Sequence, residues 1–431
     1  MTTSAARLLR HTLASLLLAA LAAACGSAAG ELAATGSTSD AGTAADAGTS
    51  SGGTADAGTP PSTIGGPLAA MSLSAAALPA SRTNAVADLP AAAALGQKLF
   101  GDARMSSDGR VSCASCHGAT LGFSDARQVS VGVAGRTGTR HAPAVTAVAL
   151  MPFYFWDGRA DSAWSQPLKA IEGAAEMDFS RTEVAALVLG RYQAEYAAVF
   201  GAIPDLGALP ARAMPGLAAW DAMTAAQRDG VQRIFANVGK ALEAYERKLT
   251  CADTRFDRWT RGQVTFTAAE ADGAAQFVSG RCINCHSGPA FSDGGFHDLG
   301  LSPATAAADS GRSAGIPLLQ ADVFNGAGAY SDDVAAGQVR LSGLAAETGS
   351  VGAFRTAPLR GVGQRPRFGH AGTFTNLDDF LRDAYNRPRL HAGTLGALDP
   401  KLAGVNLGNT ADLIAFLRTL DCPAVPAALL P

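Results

Sequence analysis

The chain has 431 residues, a formal net charge of −3 and 48% hydrophobic residues. That balance excludes the strongly basic surface that nucleic acid requires, and the length allows two or three domains. The apolar fraction is large enough for sizeable cores, but much of it is Ala, so function has to be read from particular residues.

At the N-terminus, Arg7 and Arg10 precede an apolar run from Leu13 to Ala24. A membrane span needs roughly 20 such residues, so the run reads as a secretory signal. It ends in Ala22-Ala23-Ala24-Cys25, which resembles a bacterial lipobox with Ala22 where that pattern prefers Leu. Residues 1–25 are therefore expected to be a signal peptide ending at a lipidated Cys25. Residues 26–66 repeat Asp-Ala-Gly-Thr from Asp40, Asp46 and Asp56 and carry almost no large apolar side chains, as a flexible tether would. The expectation is an exported protein, periplasmic or anchored at the outer membrane, touching the membrane only through its lipid.

The ordered chain is expected from Pro67 onward. A helical stretch with Leu95, Gly96, Leu99 and Phe100 leads to Cys113-Ala-Ser-Cys116-His117. A similar stretch with Gly273, Ala274 and Phe277 leads to Cys282-Ile-Asn-Cys285-His286, with eight fewer residues between the Phe and the motif. CxxCH is the c-type haem attachment motif: two thiols hold the haem covalently and the adjacent His ligates the iron. Four cysteines at these spacings could also make a zinc site, but zinc leaves a His directly after both pairs unexplained. Two weakly repeated units, each around one haem, follow. Val231, Ile234, Phe235, Val238, Leu242 and Tyr245 recur at helical spacing, as do Leu413, Phe416, Leu417 and Leu420, while strand-like alternation is scarce. The fold class expected is mainly α, with two cytochrome c-like domains, 67–228 and 229–431, and long Gly- and Pro-rich loops over much of 286–370. Cys251 and Cys422 remain, each just after a helical stretch. An exported chain permits a disulfide between them, the alternative being two buried thiols.

The stretch 95–177 resembles the bacterial di-haem cytochrome c peroxidase and MauG family. The resemblance is carried by Leu95-Gly-Gln-Lys-Leu-Phe100, the first CxxCH, Gly122-Phe123-Ser124-Asp125, Thr139-Arg-His141-Ala-Pro143 and Phe155-Trp156-Asp157-Gly158-Arg159, then by Gln166 and Ala175-Glu176-Met177. Phe256-Asp257-Arg258, the second CxxCH, Phe354-Arg355-Thr-Ala-Pro-Leu-Arg360, Gly369-His370-Ala-Gly372 and Tyr385-Asn386-Arg387 extend it to about 425. It implies a peroxidatic N-terminal haem with His117 as proximal ligand, and a C-terminal electron-transfer haem with His286 as proximal ligand. It also implies Glu176 as acid–base group, Gln166 as the amide that orients peroxide, and Trp156 between the haems. The partners implied are hydrogen peroxide and a small electron donor, a cytochrome c or cupredoxin, or a substrate protein; a homodimer is compatible.

Three departures from the family pattern bear on function. The loop 129–136, where many relatives place an iron-blocking His, contains none. The family often holds a calcium ion between its domains, beside an Asn where His141 stands here; imidazole is a poor calcium ligand, but one calcium ion could still be held by backbone carbonyls near Arg365 and Arg367. The second haem's usual Met ligand is matched here by Tyr385, at the end of a helix one residue longer than the family pattern. The activity implied is reduction of peroxide to water. The alternatives are a MauG-like enzyme using high-valent haem to oxidise a protein or small molecule, and a non-enzymatic di-haem electron carrier.

Overall fold

The computed structural model describes residues 66–431 except 75, 76, 306 and 387. The expected signal peptide, Cys25 and the tether up to residue 65 lie outside the described residues. Among the described residues no helix is long and apolar enough to cross a membrane.

The fold is mainly helical, with a single antiparallel pair of two-residue strands, Phe296–His297 on Phe354–Arg355, among the described residues. Local signals set the helix ends. Pro90 opens the Pro90–Gly101 helix, where its missing N–H is not needed. Thr224 with Gln227 caps Ala225–Lys248, and Thr267 with Glu270 caps Ala268–Ser279.

The repeat seen in the sequence is a packing device. Pro90–Gly101 crosses Ala225–Lys248, and Ala268–Ser279 crosses Thr410–Arg418. At the first crossing a Cβ on Gly96 would lie 1.9 Å from the Ala241 carbonyl oxygen, and at the second a Cβ on Gly273 would lie 2.0 Å from that of Asp412. Only glycine lets each helix pair approach this closely. Leu95, Leu99 and Phe100 then pack with Phe235, Leu242 and Tyr245 in one core. Phe256, Phe277, Phe291 and Phe416 form the centre of a second. Each such side chain contributes about 1.5–3 kcal/mol on burial.

The long Ala225–Lys248 helix, expected to open the C-terminal domain at 229, has its apolar face in the N-terminal core. The chain ends also cross over. Leu68 and Met71 join the second core, while Leu429 packs on the first and accepts a hydrogen bond from the Tyr245 hydroxyl at 2.7 Å. Cys251, just beyond the long helix, is disulfide-bonded to Cys422 in the C-terminal tail. The stretch 286–370 is less loop-like than expected: it holds the helices Arg312–Gln320 and Val334–Leu341. Their shortness and the Pro317 inside the first hid their periodicity.

Candidate active site and haem cavities

Each CxxCH opens with a single tight turn, Cys113–Ser115 and Cys282–Asn284, and each turns its His into a cavity. His117 Nδ1–H donates to the Phe123 carbonyl at 3.1 Å, and His286 Nδ1–H donates to the Phe291 carbonyl at 3.0 Å. In both the Nδ1 bond leaves Nε2 pointing the other way, as an iron ligand requires. Burial holds both imidazoles below the ordinary histidine pKa, so they stay neutral. The carbonyls reach the rings because Phe123 and Phe291 take left-handed backbone, at φ 54° and 53°, which is unusual for bulky residues. Their fully buried rings offset that strain. Both belong to a Phe-Ser-Asp sequence, 123–125 and 291–293, an internal repeat that the reading of the sequence missed.

The first cavity is lined by Cys113, Cys116 and His117 on one side and by Gln166 and Glu176 among others. Gln166 opens the Gln166–Glu172 helix, whose buried Leu168 and Ile171 anchor it in the core. Burial raises the Glu176 carboxyl above the usual carboxylate range, and the Arg159 cation opposes that rise. The loop 129–136 clasps the backbone here. Val133 N–H donates to the Glu176 carbonyl at 2.9 Å, and a Cβ on Gly132 would lie 2.3 Å from that same oxygen. From this loop Ser130 and Gly132 line the cavity. Glu246, from the long helix, lines it too and was not singled out from the sequence. It is buried, its Oε2 has no partner, and burial with the neighbouring Glu243 pushes its pKa up to about 8.

The second cavity contains Cys282, Cys285, His286 and Tyr385. The Tyr385 hydroxyl faces His286 Nε2 at 3.4 Å. The extra residue of this helix is absorbed locally: Leu377–Leu381 is α-helical and Arg382–Asn386 widens into a π turn. Arg355, Arg365 and His370 line the same cavity. His370 stacks on Phe354 at 3.6 Å, and its buried Nε2 has no partner.

Trp156 lines both cavities, and its Nε1–H donates to the His141 carbonyl at 2.8 Å. Its loop is gripped by charge. Asp157 pairs with Arg159 at 3.0 Å and with Arg140 at 2.5 Å, and Arg140 also meets Asp309 at 2.7 Å. Arg312 Nη1 donates to the Gly158 carbonyl at 2.8 Å. Asp157 and Arg159 therefore neutralise each other within the loop.

The two halves fit haem by their donor chemistry: paired thiols, a neutral imidazole facing a large cavity, and in the second cavity buried donors that await an acceptor. The surroundings of His141 do not fit calcium. Its ring is engaged by Ser124 Oγ at 3.0 Å and by the Arg127 and Gln128 carbonyls at 3.2 and 3.3 Å. The Arg367 cation lies close enough to lower its pKa further, where a calcium site needs oxygen donors and negative charge.

Comparison with known proteins agrees with this architecture. Residues 90–265 match the family described as di-haem cytochrome c peroxidase. A cytochrome-c peroxidase, IdrP1, from Denitromonas iodatirespirans is 31% identical over 343 residues, covering 76% of this chain and 81% of that protein. The chain belongs to the di-haem cytochrome c peroxidase family. Within that family it is also similar to the methylamine utilization protein MauG of Methylorubrum extorquens, at 29% identity over 79% of this chain and 80% of that protein. The fold matches the diheme peroxidase BthA from Burkholderia thailandensis, with a TM-score of 0.59 at 21% identity over 84% of this chain and 92% of that one. A MauG-like protein associated with microbial copper homeostasis also has a TM-score of 0.59, at 22% identity over 82% of this chain and 97% of the other. Two c-type haems are the cofactors this family membership brings, and the enzyme is an oxidoreductase of the peroxidase class.

Proposed function

We propose that hydrogen peroxide is reduced to water in the first cavity, with electrons relayed through the second. The observation that carries this reading is an asymmetry. Gln166 and Glu176 line the His117 cavity, and no iron-ligating side chain enters it from loop 129–136. In the other cavity the Tyr385 hydroxyl stands opposite His286.

Haem iron, when bound, supplies an open coordination position in the first cavity and the means to pass electrons between the two. The residues of the chain do the rest. His117 holds the proximal side as a neutral imidazole. The Gln166 amide orients peroxide by hydrogen bonding. Glu176 accepts a proton at its carboxylate from one peroxide oxygen and returns it to the departing one. A carboxyl raised by burial is suited to that exchange near neutral pH. The reaction takes two electrons and two protons per peroxide and yields two waters. Trp156 provides an aromatic bridge between the sites. The electrons come from a small donor protein, a cytochrome c or cupredoxin.

Tyr385 supports a second reading, in which a protein or small molecule rather than a donor cytochrome is oxidised. A phenolate favours the ferric state, whereas Met raises the potential. Export, lipidation at Cys25 and tethering through 26–66 complete the proposal and rest on the sequence alone.

Glu176→Gln tests the acid–base role. The variant should retain both haems and bind peroxide, with turnover lowered about 10²–10⁴-fold. An unchanged rate of peroxide consumption would remove Glu176 from the chemistry.

A further inference from the structure

Arg355 and Arg365 are placed where cations are costly. Arg355 is 7% exposed, and its Nη1 has no hydrogen-bond partner. Arg365 is half-buried; its Nη1 and Nη2 donate to the Pro358 and Arg360 carbonyls, and its Nε has no partner. Neither residue forms a salt bridge among the described residues. Burial pushes both guanidinium groups down to about 10, and Arg365 is lowered further by its neighbour Arg355. They therefore stay charged at neutral pH and repel each other. A buried guanidinium without a counter-ion, with a second cation beside it, is strongly destabilising unless an anion meets it.

The position of Arg355 gives the arrangement its meaning. Its backbone N–H donates to the Trp156 carbonyl at 2.8 Å, and its Nε donates to the Phe155 carbonyl at 3.1 Å. Two of its donors thus hold the Trp156 loop, and Nη1 is left over. Arg355 lines both cavities, whereas Arg365 lines the second. Guanidinium is the side chain best matched to a carboxylate.

We propose that Arg355 is a carboxylate anchor shared by the two cavities, joined by Arg365 in the second. Its free Nη1 would bind a haem propionate while its backbone N–H and Nε hold the Trp156 loop. The inference rests on the reading that each CxxCH carries a haem. Arg355 is a positioning residue: it couples where the haems sit to where the bridging indole sits.

A buried cation stabilises the reduced, less positive iron, so its removal lowers the potential. In the holoprotein, Arg355→Gln should therefore shift the reduction equilibria of both haems toward the ferric state, by about tenfold each at an effective protein dielectric. Arg365→Gln should shift the second haem alone. Arg355→Lys, which keeps the charge, should restore most of the loss. Spectroelectrochemical titration reads all three. The resonance Raman propionate-bending bands of Arg355→Gln should move, with the axial-ligand marker bands unchanged.

Wild-type protein lacking two covalent haems would overturn the functional reading itself. Two haems with unshifted potentials and unmoved propionate bands in Arg355→Gln would overturn the anchor alone. Should Arg355→Gln fail to fold, Arg355→Met and Arg365→Gln decide. Unshifted potentials and unaltered propionate bands in both would contradict the proposal.

Discussion

The two haem cavities are built on the same plan and finished with different polar groups. Both use a helix crossing sealed by glycine, at Gly96 and at Gly273, and both fix the proximal imidazole on the carbonyl of a Phe in left-handed backbone. The first cavity is then lined by the carboxyls of Glu176 and Glu246 and the second by Arg365 and His370, while Arg355 lines both. Duplication supplies the scaffold, and the residues around it divide the labour. In the proposed function, carboxyls suit proton exchange at an open site, and cations with Tyr385 opposite His286 suit a closed site that passes electrons.

The comparison can be broken at its base. Cys116→Ala should abolish covalent attachment at the first site and leave the second intact, seen by mass spectrometry as one haem adduct instead of two. Loss of both adducts would show that the halves do not mature independently.

The acidic character of the first cavity predicts a pH dependence. Glu246 has a folded-state pKa raised from 4.5 to about 8. Between those values the unfolded chain has released this proton and the folded chain still holds it. Stability is therefore lost as pH rises through that window, by about 1.4 kcal/mol for each unit. Glu246→Gln removes the penalty. It should raise the melting temperature clearly at pH 8 and hardly at pH 5. Equal shifts at both pH values would mean that Glu246 is not held protonated.

A smaller effect sharpens the other side. Tyr385→Met should raise the potential of the second haem and alter its low-spin spectrum, with the first haem unaffected. An unaltered spectrum would give the axial position to another side chain.

Much of this asymmetry can be read from the chain itself. The CxxCH pairs are local motifs, Gln166, Glu176 and Trp156 stand out only through the family resemblance, and the glycine–aromatic repeat ahead of each motif marks the helices that cross. Residues whose role depends on long-range packing were not legible. Glu246 sits in a stretch that reads as an ordinary helix face and Arg355 in one that reads as loop and carries the resemblance without a role, and only the assembled fold turns both toward the cavities. The crossing of the chain ends had no local signal either, because Met71 joins the core of Phe256 and Leu429 bonds Tyr245, 184 residues away in sequence. The π turn at Arg382–Asn386 shows how a one-residue excess in the sequence is absorbed without moving Tyr385 from its partner.

The central claim is that the first site is open and the second closed. Electron paramagnetic resonance of the fully oxidised protein tests it most directly. The account predicts a high-spin ferric signal from one haem, five-coordinate or water-bound, beside a low-spin signal from the other. Two purely low-spin signals, one of them bis-histidine in character, would contradict it.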